Sequence, residues 1–284
     1  MHDQTVHIVS QAIRYMEDHL HDKLDLETVA AALHYSKYHL HRIFTKTTGL
    51  TIHAYAGRRR LTEAAKLLIF SEKPIMEIAL LSGYESQQSF TDTFKAMYKT
   101  TPAKFRQTKD FYPLQLEIHL TGGVGTVELT KDDIQFASPA DTDDWMKLVT
   151  LTIDGYPKLD ETEYLEKLQR YITDKKALIL RDNDIIIGAM GFSATGSIDF
   201  LAVHPQYRHL GIAGLFLERL SVELPPGIEI SCTTYRAGDR ADTGCREEYF
   251  RLGFSERELL VEYGYPVQRF VLLPKHSRKE TDDD

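Results

Sequence analysis

At 284 residues the chain is long enough for two domains, since domains mostly span about 100 to 200 residues. With 42% hydrophobic and 27% charged residues it has an average globular composition, which excludes collagen-like, low-complexity and wholly disordered classes. The beginning of the sequence shows neither a basic leader nor an apolar h-region, and no stretch reaches the roughly 18 apolar residues of a membrane span. We therefore expect a soluble, cytoplasmic protein that does not bind a membrane.

The formal net charge of −8 is unevenly distributed along the chain. Residues 1–110 contain 15 Lys and Arg against 12 Asp and Glu, together with eight of the 12 histidines. The remaining 174 residues contain 19 basic and 30 acidic side chains. Because a nucleic-acid backbone attracts basic surfaces and repels acidic ones, a phosphate-binding surface is expected in the first part. Ordinary scatter of surface charge is the alternative explanation.

Neither the cysteines nor the histidines indicate a metal site. Cys232 and Cys245 are too few for a disulfide framework or a zinc cluster, and we interpret both as reduced and structural. His39 and His41 would lie about 200° apart on a helix, so they cannot share one ion. We therefore expect no metal.

The first 108 residues are predicted to be helical, because apolar residues recur three and four positions apart. Four of them mark an opening helix: Ile8, Ala12, Ile13 and Met16. A second helix follows Asp25, which offers an acidic cap. Ser36 offers the N-cap of a third helix, which is expected to end near Gly49.

This helical pattern is repeated once. The corresponding residues lie 49 or 50 positions apart, and the pairs are Val29/Ile78, Ala30/Ala79, Tyr35/Tyr84, Leu40/Phe90, Phe44/Phe94, Thr51/Thr101 and Tyr55/Phe105. Between the copies, the basic run 58–60 is expected to open a long connecting helix through Leu68. Two helix-turn-helix units joined by a rigid helix would present two recognition helices to adjacent major-groove segments of DNA, roughly one helical turn apart.

Each predicted recognition helix has a polar outward face. Arg42 in the first helix can offer a bidentate guanidinium to guanine, and Tyr38 can contact a thymine methyl group or the DNA backbone. Glutamine, which the second helix carries twice, is suited to adenine N6 and N7. The residues predicted to contact DNA are Lys37, Tyr38, His41, Arg42, Gln87, Gln88 and Thr91.

Residues 24–108 closely resemble the AraC/XylS DNA-binding domain, especially its MarA-like branch. The resemblance is carried by YSKYHLHRIF, TGLTIHAYAGRRRLTEAAKLL and PIMEIALLSGYESQQSFTDTFKAMYKTTPAKFR. It implies an all-α double helix-turn-helix domain over 1–108 that binds promoter DNA, works with RNA polymerase, and contacts bases through Tyr38, His41, Arg42, Gln87 and Gln88. MarA-like relatives often have arginine where this chain has Asp92, a carboxylate that repels phosphate but can accept a hydrogen bond from cytosine N4.

Beyond residue 108 the pattern changes. Alternating apolar residues from Leu114 to Leu120 predict a linker, an edge strand or both over 109–130. Strands and helices then alternate over 131–273, which describes an α/β domain, and 274–284 form a charged tail. The predicted strands are 134–137, 177–180, 185–192, 197–203, 228–233 and 269–272, and the predicted helices are 145–149, 161–172, 211–220 and 244–252.

The segment SIDFLAVHPQYRHLGIAGLFLERL predicts a strand, a short loop and a helix. Gly211, Ala213 and Gly214 fall at the start of this helix, where backbone amides are unpaired and a pyrophosphate can approach closely. The segment is neither a P-loop nor a dinucleotide fingerprint, because GKS/GKT and G-x-G-x-x-G are missing. Packing alone is the alternative role for these small residues.

Within this segment, VHPQYRHLGIA resembles the acetyl-CoA motif of the GNAT acyltransferase superfamily, V-x-P-x-x-R-x-x-G-x-G/A. DTGCREEYFRLGF resembles that superfamily's closing segment at Tyr249, Gly253 and Phe254, with Asp242 and Cys245 where asparagine and alanine are usual. The resemblance implies a multidomain protein with a C-terminal α/β GNAT fold, a mixed central sheet flanked by helices, over 131–273. The implied acetyl-CoA-binding residues are Phe200, Leu201, Ala202, Val203, Arg208, His209, Leu210, Gly211, Ile212, Ala213 and Gly214.

The two resemblances together predict a transcriptional regulator that binds acetyl-CoA and transfers its acetyl group to a small amine or a protein lysine. Tyr249 is implied as the general acid that reprotonates the departing thiolate, and such direct transfer requires no metal. The general base is left open among Asp199, Glu247 and Glu248, with solvated or salt-bridged carboxylates as the alternative. The alternative function is a catalytically inactive GNAT-like domain that senses a ligand.

Overall fold

The computed structural model describes residues 2–22, 24–120, 129–152, 161–262 and 264–274. The chain forms two compact units, one of residues 1–126 and 150–159 and the other of residues 127–149 and 160–284. Most of the predicted tail, residues 275–284, lies outside the described part, as do residues 121–128 of the predicted linker. Among the described residues, no helix is long and apolar enough to cross a membrane.

The described part of the first unit contains the helices α1 His2–Asp18, α2 Leu26–Ala32, α3 Lys37–Thr48, α4 Ile52–Phe70, α5 Ile75–Leu81, α6 Gln87–Tyr98 and α7 Pro102–Thr108. Local capping explains several of these limits. The Asp25 side chain accepts from the amide of Thr28 at the start of α2, and Ser36 accepts from the amide of His39 at the start of α3. Gly49 ends α3 in the left-handed region with φ of 76°. These three predicted caps are confirmed.

The repeat predicted from the sequence is present in the core. Leu40 and Phe44 of α3 are fully buried, as are Phe90 and Phe94 at the equivalent positions of α6. In the second copy the aromatic rings of Phe94 and Phe105 meet edge to face, with 5.3 Å between their centroids. The two copies are thus held by equivalent apolar faces, which leave the opposite faces of α3 and α6 outside the core.

The connecting helix α4 begins earlier than predicted, at Ile52 rather than at Arg58. Thr51 caps it by accepting from the amide of Ala54 at 3.1 Å. The basic run therefore lies inside the helix, where Arg58 and Arg59 are only 4% and 6% exposed. The expectation that this run opens the helix was wrong because a threonine cap outweighs the charge pattern as a start signal.

The alternating segment 114–120 forms no strand in the structure. Leu114 and Ile118 are buried, and the amides of Leu114 and Gln115 both donate to the Thr62 hydroxyl, at 3.0 and 3.1 Å. Arg58 donates to the carbonyl of Leu114 at 3.1 Å. The alternation therefore serves to pack an extended chain against α4, whose side chains satisfy the backbone groups that a strand would have paired.

The C-terminal half contains the helices α8 Thr142–Thr152, α9 Glu161–Thr173, α10 Ile212–Glu223 and α11 Cys245–Arg251. Its strands are β1 Gln135–Phe136, β2 Ala177–Asp182, β3 Ile185–Phe192, β4 Ile198–Val203, β5 Ile230–Tyr235, β6 Ser255–Glu262 and β7 Tyr265–Leu272. All predicted strands and helices of this half are found, but β6 was missed. Most of its residues are exposed, so it lacks the alternation of buried and exposed residues by which a strand is recognised.

The strands form two antiparallel sheets, in the orders β1-β2-β3-β4 and β5-β7-β6. They meet at a parallel bridge between Ser197 and Ser231, where the Ser231 amide donates to the carbonyl of Gly196 at 2.9 Å. Gly196 has φ of +83°, and a Cβ there would lie 2.3 Å from the carbonyl oxygen of Glu229. Among the described residues, β4 and β5 are joined by this bridge at their beginnings and carry no strand pairing beyond it.

Candidate functional sites

The first recognition helix, α3, carries its predicted polar residues on the face opposite Leu40 and Phe44. Tyr38 is 79% exposed, and His41 and Arg42 are exposed beside it. Lys37 is also exposed, but its ammonium group pairs with Glu27 at 2.8 Å and lies 5.6 Å from the centre of the Tyr38 ring. The hydrogen bond from Lys37 holds the pKa of Glu27 below its usual value. Tyr38, His41 and Arg42 thus form the outward face of this helix.

The second recognition helix, α6, is capped by Ser86, whose hydroxyl accepts from the amide of Ser89 at 3.1 Å. Gln87 and Gln88 in its first turn are exposed, whereas Thr91 is half-buried. The side-chain nitrogen of Gln88 donates to both carboxylate oxygens of Asp92, at 3.0 and 3.1 Å. This contact was not predicted, although residues four positions apart on a helix lie close enough to form it.

Contacts from α4 and from the turn after α1 connect the two helix-turn-helix copies. Arg60 donates to the carbonyl oxygens of Leu20, at 2.7 Å, and Asp22. The imidazole of His21 lies 2.6 Å from the carbonyl oxygen of Leu81, at the end of α5. Arg60 thus bonds α4 to the turn after α1, and His21 of the same turn contacts α5 in the second copy. This arrangement supports the predicted role of α4 as a bridge.

In the C-terminal unit, the start of α10 has the geometry of an anion-binding helix end. Gly211 precedes the helix with φ of +68°, and a Cβ built there would meet no atom within 4 Å. Its carbonyl already accepts from the amides of Gly214, at 2.9 Å, and Leu215, at 3.4 Å. The amides of Ile212 and Ala213 come earlier in the helix, where no intrahelical acceptor is available. Of the predicted binding amides, that of Gly214 is therefore used by the helix itself.

The segment before α10 is a short 3₁₀ helix, Pro205–Leu210, capped by the buried His204. Burial lowers the pKa of His204 to about 4, with Arg208 contributing in the same direction, so its imidazole is neutral at pH 7. Arg208 is half-buried, and Leu210 is half-buried as well, whereas His209 is exposed. The predicted basic residues thus lie within three positions of Gly211.

Strand β4 presents one paired and one open edge. Its predicted residues pair with β3 in the register Gly191↔Phe200, Met190↔Leu201, Ala189↔Ala202 and Gly188↔Val203. The other edge of β4 faces β5, with which the described residues pair only at the bridge near Ser197. An extended chain with amide groups can therefore add to this edge.

Helix α10 packs closely on β3. A Cβ at Gly188 would lie 2.6 Å from the ring of Phe216 and 3.0 Å from a methyl group of Ile212. A Cβ at Gly214 would be in ordinary contact with Leu252, at 3.6 Å. The glycine at 188 therefore lets the start of α10 approach the sheet next to the open edge of β4.

The predicted general acid, Tyr249, lies in α11 with its hydroxyl beside the thiol of Cys232 on β5. Its ring packs against Phe254 and Phe270, with centroids 5.2 and 6.0 Å away. Burial raises the pKa of Tyr249 well above its usual value and that of the Cys232 thiol to about 12. Both cysteines are free thiols, as predicted.

The family departure at Asp242 has a local role. Its carboxylate accepts from the amides of Gly244 at 3.0 Å and Cys245 at 2.8 Å, at the beginning of α11. The side-chain oxygen that an asparagine would supply is therefore present in the aspartate, and it caps the helix that carries Tyr249.

The candidate general bases have different surroundings. Asp199 is exposed on β4, where its carboxylate accepts from the hydroxyls of Tyr171 and, at 2.9 Å, Ser197, and lies 3.9 Å from the Lys167 ammonium group. Glu247 and Glu248 are exposed on α11. Within the described residues, no group of three or more His, Cys, Asp or Glu side chains is placed to hold a metal ion.

Comparisons with known proteins match the two units separately. A family described as "Helix-turn-helix domain" matches residues 29–108, and one described as "Acetyltransferase (GNAT) domain" matches residues 154–259. The multiple antibiotic resistance protein MarA of Escherichia coli is 40% identical over 104 residues, which cover 37% of this chain and 80% of MarA. The transcriptional regulator Rob of Salmonella typhimurium is 37% identical over 135 residues, which cover 48% of this chain and 45% of Rob.

The chain thus spans less than half the length of Rob. A solved GNAT-family acetyltransferase from Bacillus cereus is 16% identical with a TM-score of 0.40, covering 50% of this chain and 96% of that one. The match to MarA shows that the chain belongs to the AraC/XylS family of helix-turn-helix proteins through its N-terminal unit, and its C-terminal half matches the GNAT acetyltransferase domain.

Proposed function

We propose that this protein is a transcriptional regulator whose N-terminal unit binds promoter DNA and whose GNAT domain binds acetyl-CoA and transfers the acetyl group to an amine. The observation that carries the second part is the start of α10, where Gly211 has a left-handed backbone and open space at its Cβ position. The family relationship and the outward polar faces of α3 and α6 support the first part.

For DNA binding, α3 offers Tyr38, His41 and Arg42, and α6 offers Gln87 and Gln88. The N-terminal residues of a recognition helix contact base edges, which is where these side chains lie. The excess of basic over acidic residues in 1–110 favours this half over the acidic remainder for contact with phosphates. RNA polymerase remains a proposed partner through the family relationship.

For coenzyme binding, the amides at the start of α10 would receive the pyrophosphate, with Gly211 leaving room for its approach. The open edge of β4, residues 200–203, would pair with the amide groups of the pantetheine arm. Arg208 adds a positive charge and His209 an imidazole next to the same helix start. With these proposed contacts the thioester end would lie along β4, toward the region where the described residues of β4 and β5 are not paired.

Acetyl-CoA supplies an activated acetyl group as a thioester. When a neutral amine attacks the carbonyl carbon, a C–N bond forms and the C–S bond breaks. The nitrogen then loses one proton to a base, and the sulfur leaves as a thiolate that gains one. Tyr249 is protonated at pH 7, as an ordinary tyrosine is, so its hydroxyl has a proton to supply, although burial raises its pKa and makes it a weaker acid. The acidic balance of the C-terminal half favours a cationic acceptor, such as a small amine or a protein lysine.

The second candidate function is a ligand sensor without acetyl transfer. It is favoured by the partners that two groups needed for catalysis already have within the chain, since Tyr249 lies beside Cys232 and Asp199 accepts from Tyr171 and Ser197. In this function, occupancy by acetyl-CoA would change the affinity for DNA. Such a change requires that the coenzyme bind the DNA-competent and DNA-incompetent states unequally.

The deciding experiment uses the full chain. Acetyl-CoA binding is measured by calorimetry, and thiol release is measured with a panel of amines and lysine peptides for wild type and Tyr249→Phe. Binding with turnover that the substitution strongly reduces supports the acetyltransferase. Binding without turnover in wild type supports the sensor, and absence of binding contradicts both.

A further inference from the structure

The outward face of α6 contains a pair of side chains that acts as one unit. Gln88 is the second residue of the helix and Asp92 lies one turn later, and both are exposed. The amide nitrogen of Gln88 lies 3.0 and 3.1 Å from the two carboxylate oxygens of Asp92. A carboxylate only accepts hydrogen bonds at neutral pH, so it must face the nitrogen of the amide and not its oxygen.

This contact selects one orientation of the Gln88 amide. The terminal amide of a free glutamine rotates with little preference for either orientation, and this conformational freedom is lost when the amide bonds to a base. With one N–H engaged by Asp92, the Gln88 amide still has its oxygen as an acceptor and a second N–H as a donor. These are the two groups that adenine requires, because its major-groove edge offers the N6 amine as a donor and N7 as an acceptor.

The positions along the helix assign different tasks to the two residues. Base edges are contacted by the N-terminal part of a recognition helix, where Gln88 lies. Asp92 lies about 6 Å further along the axis, at 1.5 Å per residue. Its negative charge makes a direct approach to the phosphates unfavourable, yet a hydrogen bond to a charged acceptor holds the glutamine more firmly than a neutral one would.

We propose that Asp92 is a positioning residue that orients the Gln88 amide so that the second helix-turn-helix unit selects adenine at one position of its DNA site. The proposal rests on the DNA-binding function proposed above.

The test begins with selection of binding sites from a random pool of duplexes, with the full-length wild type, Gln88→Ala, Asp92→Ala and Asp92→Glu. The position at which Gln88→Ala abolishes a preference is the position that Gln88 reads. Dissociation constants are then measured for the four bases at that position, at fixed salt. A good bidentate contact corresponds to a preference of about 5-fold to 150-fold for adenine in wild type.

We expect Asp92→Ala to bind DNA but to lose most of that preference, and Asp92→Glu to restore part of it, because a glutamate at the same spacing can still accept from Gln88. A structural role for Asp92 would change all four dissociation constants equally. Circular dichroism checks that each variant is folded.

Three results would overturn the proposal. The first is an adenine preference that is unchanged in Asp92→Ala. The second is a wild type that selects cytosine through Asp92 and not through Gln88, which means that the carboxylate reads cytosine directly. The third is the absence of any base preference that depends on Gln88. A pool from which wild type and all variants enrich no sequence contradicts the proposed DNA-binding function itself, and is thereby distinguished from failure of this inference.

Discussion

Arg59 of α4 and Glu17 of α1 form a buried ion pair with two hydrogen bonds. The Nε and Nη2 atoms of Arg59 donate to the two carboxylate oxygens of Glu17, each at 2.8 Å, and the side chains are only 8% and 14% exposed. The hydroxyl of Tyr55 donates to the same carboxylate at 2.6 Å. The pair joins the opening helix to the connecting helix, while Arg59 also donates to the carbonyl of Gln115 at 3.2 Å.

Replacement of Glu17 by Gln should destabilise the N-terminal unit by about 2 kcal/mol, because it removes the more deeply buried of the two carboxylates that pair with Arg59 and leaves only Glu63, at 3.0 Å. Urea unfolding followed by far-UV circular dichroism measures the loss. Glu27→Gln is the control, since it breaks only the exposed pair with Lys37 and should change stability far less. Equal losses in the two variants would contradict the structural importance of the buried pair.

Replacement of Gly211 by Ala should weaken acetyl-CoA binding at least about tenfold, because a Cβ at this position extends into the space that the proposed pyrophosphate site needs. The left-handed backbone adds a stability cost of about 1 to 2 kcal/mol. Gly238→Ala is the matched control, since Gly238 also has positive φ and open space at its Cβ position. It should lose similar stability and bind the coenzyme normally, as measured by calorimetry. Normal binding by Gly211→Ala would argue against the site.

Tyr249→Phe should lower the rate of acetyl transfer by about 100-fold or more while acetyl-CoA still binds, as expected for the loss of a general acid. The ring contacts with Phe254 and Phe270 are kept in this variant, so the fold should persist. Cys232→Ala removes the thiol beside the tyrosine hydroxyl and should have a smaller effect. Cys245→Ala serves as its control. Transfer at the wild-type rate by Tyr249→Phe would exclude this tyrosine as the acid.

Arg42→Lys should reduce discrimination between the preferred DNA site and its variants by about 1 to 3 kcal/mol, because lysine keeps the charge but cannot form the bidentate contact with guanine. Binding to unrelated DNA should change little, since it depends on charge. Gel-shift titrations at fixed salt measure both. If discrimination is unchanged, Arg42 contacts phosphate and not a base.

Stability of the C-terminal unit should fall on acidification from pH 7 to pH 5, because His204 is buried with its pKa lowered to about 4. Between that pH and about 6.5 the unfolded chain binds a proton that the folded state does not, so acid favours unfolding. At pH 5 the contribution is about 2 kcal/mol, and above pH 7 it vanishes.

The variant His204→Gln should therefore lose less stability than wild type between pH 7 and pH 5. Thermal unfolding of both proteins at the two pH values measures the difference. An identical pH dependence for the two proteins would show that other groups account for the acid sensitivity.

Features determined by neighbouring residues were predictable from the sequence. The caps at Asp25 and Ser36, the left-handed end at Gly49 and the helix start after Gly211 each depend on a few adjacent residues. The repeat was visible because equivalent apolar positions must fill equivalent cores, as Phe44 and Phe94 do. The sequence by itself therefore determined the order of the helices, most of the strands and the division into two kinds of fold.

Only the tertiary structure decided which distant groups meet. Tyr249 lies beside Cys232 because α11 packs on β5. No pattern of residues in the sequence indicates that these two side chains are neighbours. Arg59 belongs to a run of three arginines, a pattern typical of a solvent-exposed surface, but tertiary packing buries its side chain against Glu17. Hydrogen bonds and ion pairs act over a few ångströms in space, regardless of separation along the chain, so folding must bring the partners together before either role exists.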